Sequence, residues 1–234
     1  MEFRIIGCDG SYPGKNGATS GFLVTDGDDA LQLDMGCGVL PRLMALMDPA
    51  KLNAVILTHW HNDHVSDMLT LQYYLLLNKK RLTVLAPPEG HQIRDLLTGD
   101  EFDFLDIATA GQAGGFDVNA VKVAHPTPAY AIKIKKDGRV LVYTGDTAGG
   151  DGLTAFCRYA DLLVCDSTFT KAQSKPGLPH FTAAQAGALA RKAEVKRLVL
   201  THFPPDSEHE VLTREAQEEF PRAIPAKPGL TISL

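Results

Sequence analysis

Basic residues are in the minority. Lys and Arg number 23 against 28 Asp and Glu, a formal net charge of −5. A general nucleic-acid binder needs a basic surface to neutralise phosphates, so that class is disfavoured. No apolar run approaches the roughly 20 residues that cross a bilayer. The opening stretch, Met1 to Gly10, reads as a strand and a turn rather than a secretion signal. Cysteine is sparse: Cys8, Cys37, Cys157 and Cys165 form no CxxC pair and no dense framework. They are expected to be reduced thiols, mostly in the core, in a cytoplasmic protein. Low-complexity tracts, charged tails and short-period repeats are also missing, which excludes repeat arrays. What remains is 234 residues with 44% hydrophobic and 22% charged content, enough to bury a sizeable core and too apolar for a disordered chain.

Strand patterns fall at 3–7, 21–25, 30–33, 54–58, 82–86, 118–124, 130–135, 140–144, 161–165, 197–201 and 230–233. Asp26-Gly27-Asp28-Asp29 and Asp137-Gly138 are hairpin turn signals between neighbouring strands. Helical periodicity covers 65–78, 182–195 and 207–220, the second opened by the capping-box pattern Thr182-Ala-Ala-Gln185. In both halves hairpins come first and strands alternating with helices follow. That order predicts an α/β fold of two similar halves, each a mixed sheet with helices on its outer face. Packed sheet to sheet, they make a four-layer αββα sandwich.

The densest chemistry is Thr58-His59-Trp60-His61-Asn62-Asp63-His64, between the apolar run 54–57 and the helix pattern at 65–78. Three of the chain's eight histidines and an aspartate lie within six residues. On a turning backbone His59 and His61 point to one side and can face one ion, while Asp63 and His64 can reach a second. Imidazole suits zinc and related first-row metals, and carboxylate also suits manganese. A histidine-rich surface turn is the bland alternative. Further along, His125, Asp146 and His202 each follow a strand pattern.

HxHxDH after a strand, followed by a His, an Asp and a His at strand ends, resembles the metallo-β-lactamase superfamily over nearly the whole chain. The resemblance implies the αββα sandwich as a single domain over residues 1–234. It also implies two divalent ions, zinc first, with manganese or iron as alternatives. His59, His61 and His125 would hold one ion and Asp63, His64 and His202 the other, with Asp146 bridging. Ala160 to Phe169 with Asp166, His180-Phe181-Thr182, and Leu198 to Phe203 are similar to segments of the ribonuclease Z-like branch. Asp166 replaces that branch's usual Glu, and Pro204-Pro205 its Ser-Arg. His125 and Asp146 are 21 residues apart, room for one hairpin and not for the branch's tRNA-binding arm. Gly7 to Gly14 and Ala18 to Gly21 look like smaller bacterial relatives, some of which hydrolyse cyclic nucleotides.

The implied activity is a phosphodiesterase on a small substrate such as a 3′,5′-cyclic nucleotide, with water activated between the ions as nucleophile. His180 would protonate the leaving group, Asp166 would orient His180, and Asp63 counts as both ligand and catalytic carboxylate. The start of the helix at 182–195 lies beside His180 and favours a phosphate there. The loop Gly7–Gly21 is placed to approach the metals, with backbone N–H groups or Ser11 meeting a phosphate. Trp60 is expected to pack beneath the ligands, and His91 and His209 to lie on the surface. Alternatives are an ester, thioester or lactone hydrolase of the same fold, a metal-containing binding or sensing module, and a ribonuclease Z-like nuclease. No membrane and no strong nucleic-acid partner are expected. A homodimer through the apolar helix at 65–78 fits the family.

Overall fold

In the computed structural model, residues 1–89 and 92–234 are described. Gly90 and His91, the second expected at the surface, lie outside them. The first sheet contains β1 (Glu2–Gly7), β2 (Gly21–Asp26), β3 (Asp29–Leu33), β4 (Ala54–Ile56), β5 (Leu82–Ala86) and β6 (Phe102–Asp106). The second contains β7 (Gln112–Ala113), β8 (Phe116–Val123), β9 (Ala129–Lys136), β10 (Arg139–Tyr143), β11 (Leu162–Asp166), β12 (Leu198–Thr201) and β13 (Ala223–Pro225). The chain then returns to add β14 (Thr231–Ser233) outside β1.

Consecutive strands are neighbours in both sheets. From β1 to β3 the pairing is antiparallel, and from β3 to β6 it is parallel. The second sheet repeats the plan, antiparallel from β7 to β10 and parallel from β10 to β13. Both expected hairpins form, with Asp26 opposite Asp29 and Lys136 opposite Arg139.

Alternation along the strands sends side chains to two faces. Phe3, Ile5, Phe22, Val24, Leu31 and Leu33 meet Phe116, Val118, Ile132 and Ile134 of the other sheet in one apolar core. The intervening Leu23, Val55 and Val84 join a second core with helices α1 (Val39–Met44) and α3 (Met68–Asn78). On the second sheet the outer layer is α6 (Ala183–Lys192) and α7 (His209–Glu219); shorter helices are α2 (Asn62–Val65), α4 (Gln92–Leu96) and α5 (Leu153–Cys157). The result is the predicted αββα sandwich. The central parallel strands β4, β11 and β12 are buried along their whole length, as strands covered on both faces must be.

The single helix expected over 65–78 is instead α2 and α3 with a break at Ser66-Asp67. The break has a cause: the backbone of this stretch bonds to the loop after β3. Met35 N donates to His64 O at 2.7 Å, and Asp67 N donates to Met35 O at 3.0 Å. The Asp67 carboxylate accepts from Leu40 N at 2.8 Å. At α6 the capping box forms in both directions, Gln185 N to Thr182 Oγ1 and Thr182 N to Gln185 Oε1.

Candidate metal centre

The candidate ligands, with Asp166 and His180, gather at one edge of the sandwich, beyond the carboxyl ends of the strands. That edge is where α/β sheets present ligand sites, because the strands end there and the loops are free to vary. β4 leads to His59 and His61, and α2 carries Asp63 and His64. β8 leads to His125, β10 to Asp146, and β12 to His202. Asp166 is the last residue of β11. Asp34, which sequence reasoning missed, follows β3.

Three groups of ligating side chains share Asp146. The first is His59, His61, His125 and Asp146, and the second is Asp63, His64, Asp146 and His202; Asp166 and His180 make a third with Asp146 and His202. In the first, His61 Nδ1 lies 3.0 Å from His59 Nε2 and 3.1 Å from His125 Nε2, and Asp146 Oδ2 lies 3.6 Å from His59 Nε2. In the second, His202 Nε2 lies 3.1 Å from Asp63 Oδ2 and 3.3 Å from Asp146 Oδ2, and His64 Nε2 lies 3.2 Å from Asp146 Oδ1.

Outward-facing bonds decide which ring nitrogens carry protons. The far nitrogens of four histidines all have acceptors: His59 Nδ1 on Thr58 Oγ1 (3.0 Å), His64 Nδ1 on Asp34 Oδ2 (2.7 Å), His125 Nδ1 on Pro179 O (3.1 Å) and His202 Nδ1 on Thr168 Oγ1 (2.8 Å). Each donates outward through its far nitrogen, which leaves the near nitrogen to face the cluster. Thr58 and Thr168 pass their own hydroxyl protons to Asp34 (2.9 Å) and Asp166 (2.7 Å). Ring nitrogens and carboxylate oxygens therefore face one another. Asp146 Oδ1 is buried with no hydrogen-bond partner. A cation is the group that satisfies such a set, and nitrogen-rich ligands with shared carboxylate oxygen fit divalent first-row metals.

The protonation tendencies of the two clusters differ. Burial, then the charge of His64, drives His59 well below the usual histidine range. Burial, then the charge of His125, lowers His61, and burial, then the charge of His180, lowers His125, with Asp146 opposing in both. Burial also acts downward on His64 and His202, but Asp146 and the other carboxylates around them outweigh it. His64 is held well above the ordinary value, and His202 is raised to about 9. Burial would raise Asp63, yet His64 and the bond from His202 pull it below the usual carboxylate range.

Asp166 and His180 stand beside the clusters. Asp166 is fully buried and accepts from His180 Nδ1 (2.9 Å), Thr147 N (2.9 Å), Thr168 N (3.2 Å) and Thr168 Oγ1. The His180 ring stacks on that of His202, centroids 4.8 Å apart. His180 precedes the α6 N-cap, Thr182, by two residues, so it lies just ahead of the helix start. A cavity of about 350 Å³ opens over this group, lined by His61, Asp63, Asp146, His180 and His202 together with Ser11, Trp60 and Asn62.

The β1–β2 loop reaches the site as expected: Ser11 N donates to Asp63 Oδ2 at 2.8 Å. Gly10 makes that approach possible, since a Cβ there would lie 2.8 Å from His202 Nδ1. Trp60 is buried among the α3-side core residues, its Nε1 donating to Pro87 O at 3.1 Å. His209 departs from expectation: it is half-buried, its ring 4.5 Å from that of Phe203. Ser11, Asp34 and His202 all hold the left-handed backbone region without being glycine, at φ 65°, 52° and 63°. Strained positions of this kind persist where the surroundings enforce them.

Residues 33–203 match the family described as Beta-lactamase superfamily domain. Among curated proteins, the chain is 33% identical to the probable metallo-hydrolase YhfI of Bacillus subtilis, over 94% of both chains. It is 34% identical to an uncharacterised protein of Mycobacterium leprae, covering 94% of this chain and 84% of that one. To the ribonuclease Z of Methanopyrus kandleri it is 28% identical, covering 99% of this chain and 97% of that one. The crystal structure of the metallo-β-lactamase fold protein YhfI superposes with a TM-score of 0.93 at 31% identity, covering 99% of this chain and 98% of that one.

Proposed function

Because the chain belongs to the metallo-β-lactamase superfamily and is similar to ribonuclease Z proteins, we propose that it is a cytoplasmic dinuclear metal-dependent phosphodiesterase acting on a small substrate such as a 3′,5′-cyclic nucleotide. In this reading His59, His61 and His125 hold one ion, Asp63, His64 and His202 the other, and Asp146 serves both. Zinc is the first candidate, with manganese or iron as alternatives. Divalent ions bound there would supply Lewis acidity at the phosphoryl oxygens and lower the pKa of water toward about 7.

The observation that carries the reading is the His180–Asp166 pair. Its 2.9 Å bond lets His180 Nδ1 donate to Asp166 and leaves Nε2 for the substrate. An alkoxide leaves poorly unless it is protonated, and an imidazole oriented and charge-stabilised by a buried carboxylate is suited to that task. Asp166 accepts from three backbone or side-chain groups besides His180, so its position is set before substrate arrives.

Two further features favour a small substrate with one negative charge. No lysine or arginine lines the cavity among the described residues. Between His125 and Asp146 the chain makes only the β9–β10 hairpin, so no inserted arm is available there to grip a polynucleotide.

The test is a leaving-group comparison on the metal-loaded enzyme. His180→Ala is expected to lower turnover of 3′,5′-cyclic AMP by about 10²–10⁴-fold. Bis-p-nitrophenyl phosphate, whose leaving group needs little protonation, should be spared. Equal loss on both substrates would refute the acid role. Turnover of esters or thioesters with no phosphodiester cleaved would refute the phosphodiesterase reading.

A further inference from the structure

We infer that the Ser11 hydroxyl orients the substrate by donating a hydrogen bond to a non-bridging phosphoryl oxygen, an inference that rests on the phosphodiesterase reading. Ser11 lies in the wall of the cavity that also holds His180 and His202. Its backbone N–H is bonded to Asp63 Oδ2 at 2.8 Å. A serine oxygen lies about 3 Å from its own nitrogen by covalent geometry, which puts the hydroxyl within about 6 Å of that carboxylate oxygen. A substrate engaged with the second cluster would be within its reach.

The hydroxyl is free to act. Among the described residues no protein group is hydrogen-bonded to it, whereas the rest of its loop is tied down. Gly10 N donates to Phe203 O at 2.7 Å and Gly14 N to the Asp9 carboxylate at 2.8 Å. The donor is thus presented on a fixed backbone, which lowers the ordering cost of using it.

The residue type is also informative. Ser11 sits at φ 65°, where glycine is the least strained choice. The same loop uses glycine at positions 10, 14 and 17, yet position 11, the one hydrogen-bonded to the Asp63 carboxylate, carries a hydroxyl. With no lysine or arginine in the lining, donors to the phosphoryl oxygens beyond the ions and His180 are uncharged side chains, and Ser11 and Asn62 are the ones there. Of the two, Ser11 has its backbone N–H hydrogen-bonded to the Asp63 carboxylate itself, so its placement follows that ligand side chain.

Ser11→Gly separates the hydroxyl from the backbone, because it keeps the left-handed conformation and removes only the donor; Ser11→Ala removes the donor and keeps the strain. Steady-state kinetics on 3′,5′-cyclic AMP and calorimetric binding of adenosine 5′-monophosphate would be compared with wild type. Both variants are expected to raise KM and weaken nucleotide binding about tenfold or more, as loss of a hydrogen bond to a charged group does. Turnover should change less than roughly threefold, the mark of an interaction made equally before and during the chemical step. Metal content and melting temperature should be unchanged. Wild-type KM and affinity in Ser11→Gly would overturn the inference, and so would loss of metal from that variant, since the role would then be structural. A metal-loaded wild type that cleaves no phosphodiester defeats the phosphodiesterase reading and this inference with it. Normal wild-type cleavage with an undisturbed Ser11→Gly defeats the inference alone.

Discussion

His64 and His202 differ from the other clustered histidines in the charge they hold before any cation enters. Their raised proton affinity comes from Asp34, Asp63, Asp146 and Asp166 crowding around them. A cation entering between Asp63, His64 and His202 must therefore displace protons, while one entering between the already neutral His59, His61 and His125 need not. The sign follows: below about pH 9 His202 carries its proton, and ion affinity at the second position should rise with pH. The expected slope is roughly tenfold per pH unit for each proton displaced, levelling off near pH 9. Calorimetric titration of the ion-free protein in buffers of different ionisation heat would measure it. Two binding steps of equal affinity between pH 6 and 9 would contradict it.

At the same scale, Asp34 shows what single residues conceal in a sequence. The clustered motif 59–64 was legible because four donors stand within six positions. Asp34 follows Gln32-Leu33 with no companion nearby in the chain. It becomes important only because β3 pairs parallel with β4, which brings it to Thr58 N (2.8 Å), His64 Nδ1 (2.7 Å) and Tyr143 Oη (2.9 Å). Asp34→Asn tolerates the left-handed backbone but leaves one oxygen for several donors. It should weaken ion binding about 10–100-fold with an unchanged circular dichroism spectrum. Unaltered affinity by metal titration would show that Asp34 does not support His64.

At the level of elements, hairpins and the capped helix α6 were readable because their signals are local: a turn dipeptide, or a Thr and a Gln three residues apart. β6, β7 and β13 escaped, being short or edge strands whose pairing comes from distant chain. Ala223–Pro225 even ends in proline, which a central strand would exclude. α1 was hidden by Pro41, tolerated because it lies in the first turn. Helix α3 carries apolar residues almost all round. Met68, Leu71 and Leu75 are buried, but Tyr73 and Leu77 are 63% and 67% exposed, with Leu69 and Leu76 beside them. Such a face favours a partner over water, and a second copy is the partner we expect. Sedimentation should show a dimer for the wild type and a monomer for Tyr73→Glu/Leu77→Glu. A monomeric wild type at the same concentration would contradict the expectation.

At the scale of the whole molecule, the repeated strand plan explains why the site lies where it does. Each half ends its parallel strands at the same edge. The first half supplies His59, His61, Asp63 and His64, and the second supplies His125, Asp146 and His202. Neither half holds both clusters. Asp146, from the second, completes each of them, so the geometry exists only when the two sheets are packed together. The linear order of motifs was visible in the chain. Their convergence was not, because it depends on how β10 and β4 come to end side by side across the sandwich. The most direct measurement is an anomalous difference map from crystals of the protein loaded with zinc. The account predicts two peaks roughly 3.5–4 Å apart, one enclosed by His59, His61, His125 and Asp146, the other by Asp63, His64, His202 and Asp146. Zinc found elsewhere on the surface, or no peak between these seven side chains, would contradict it.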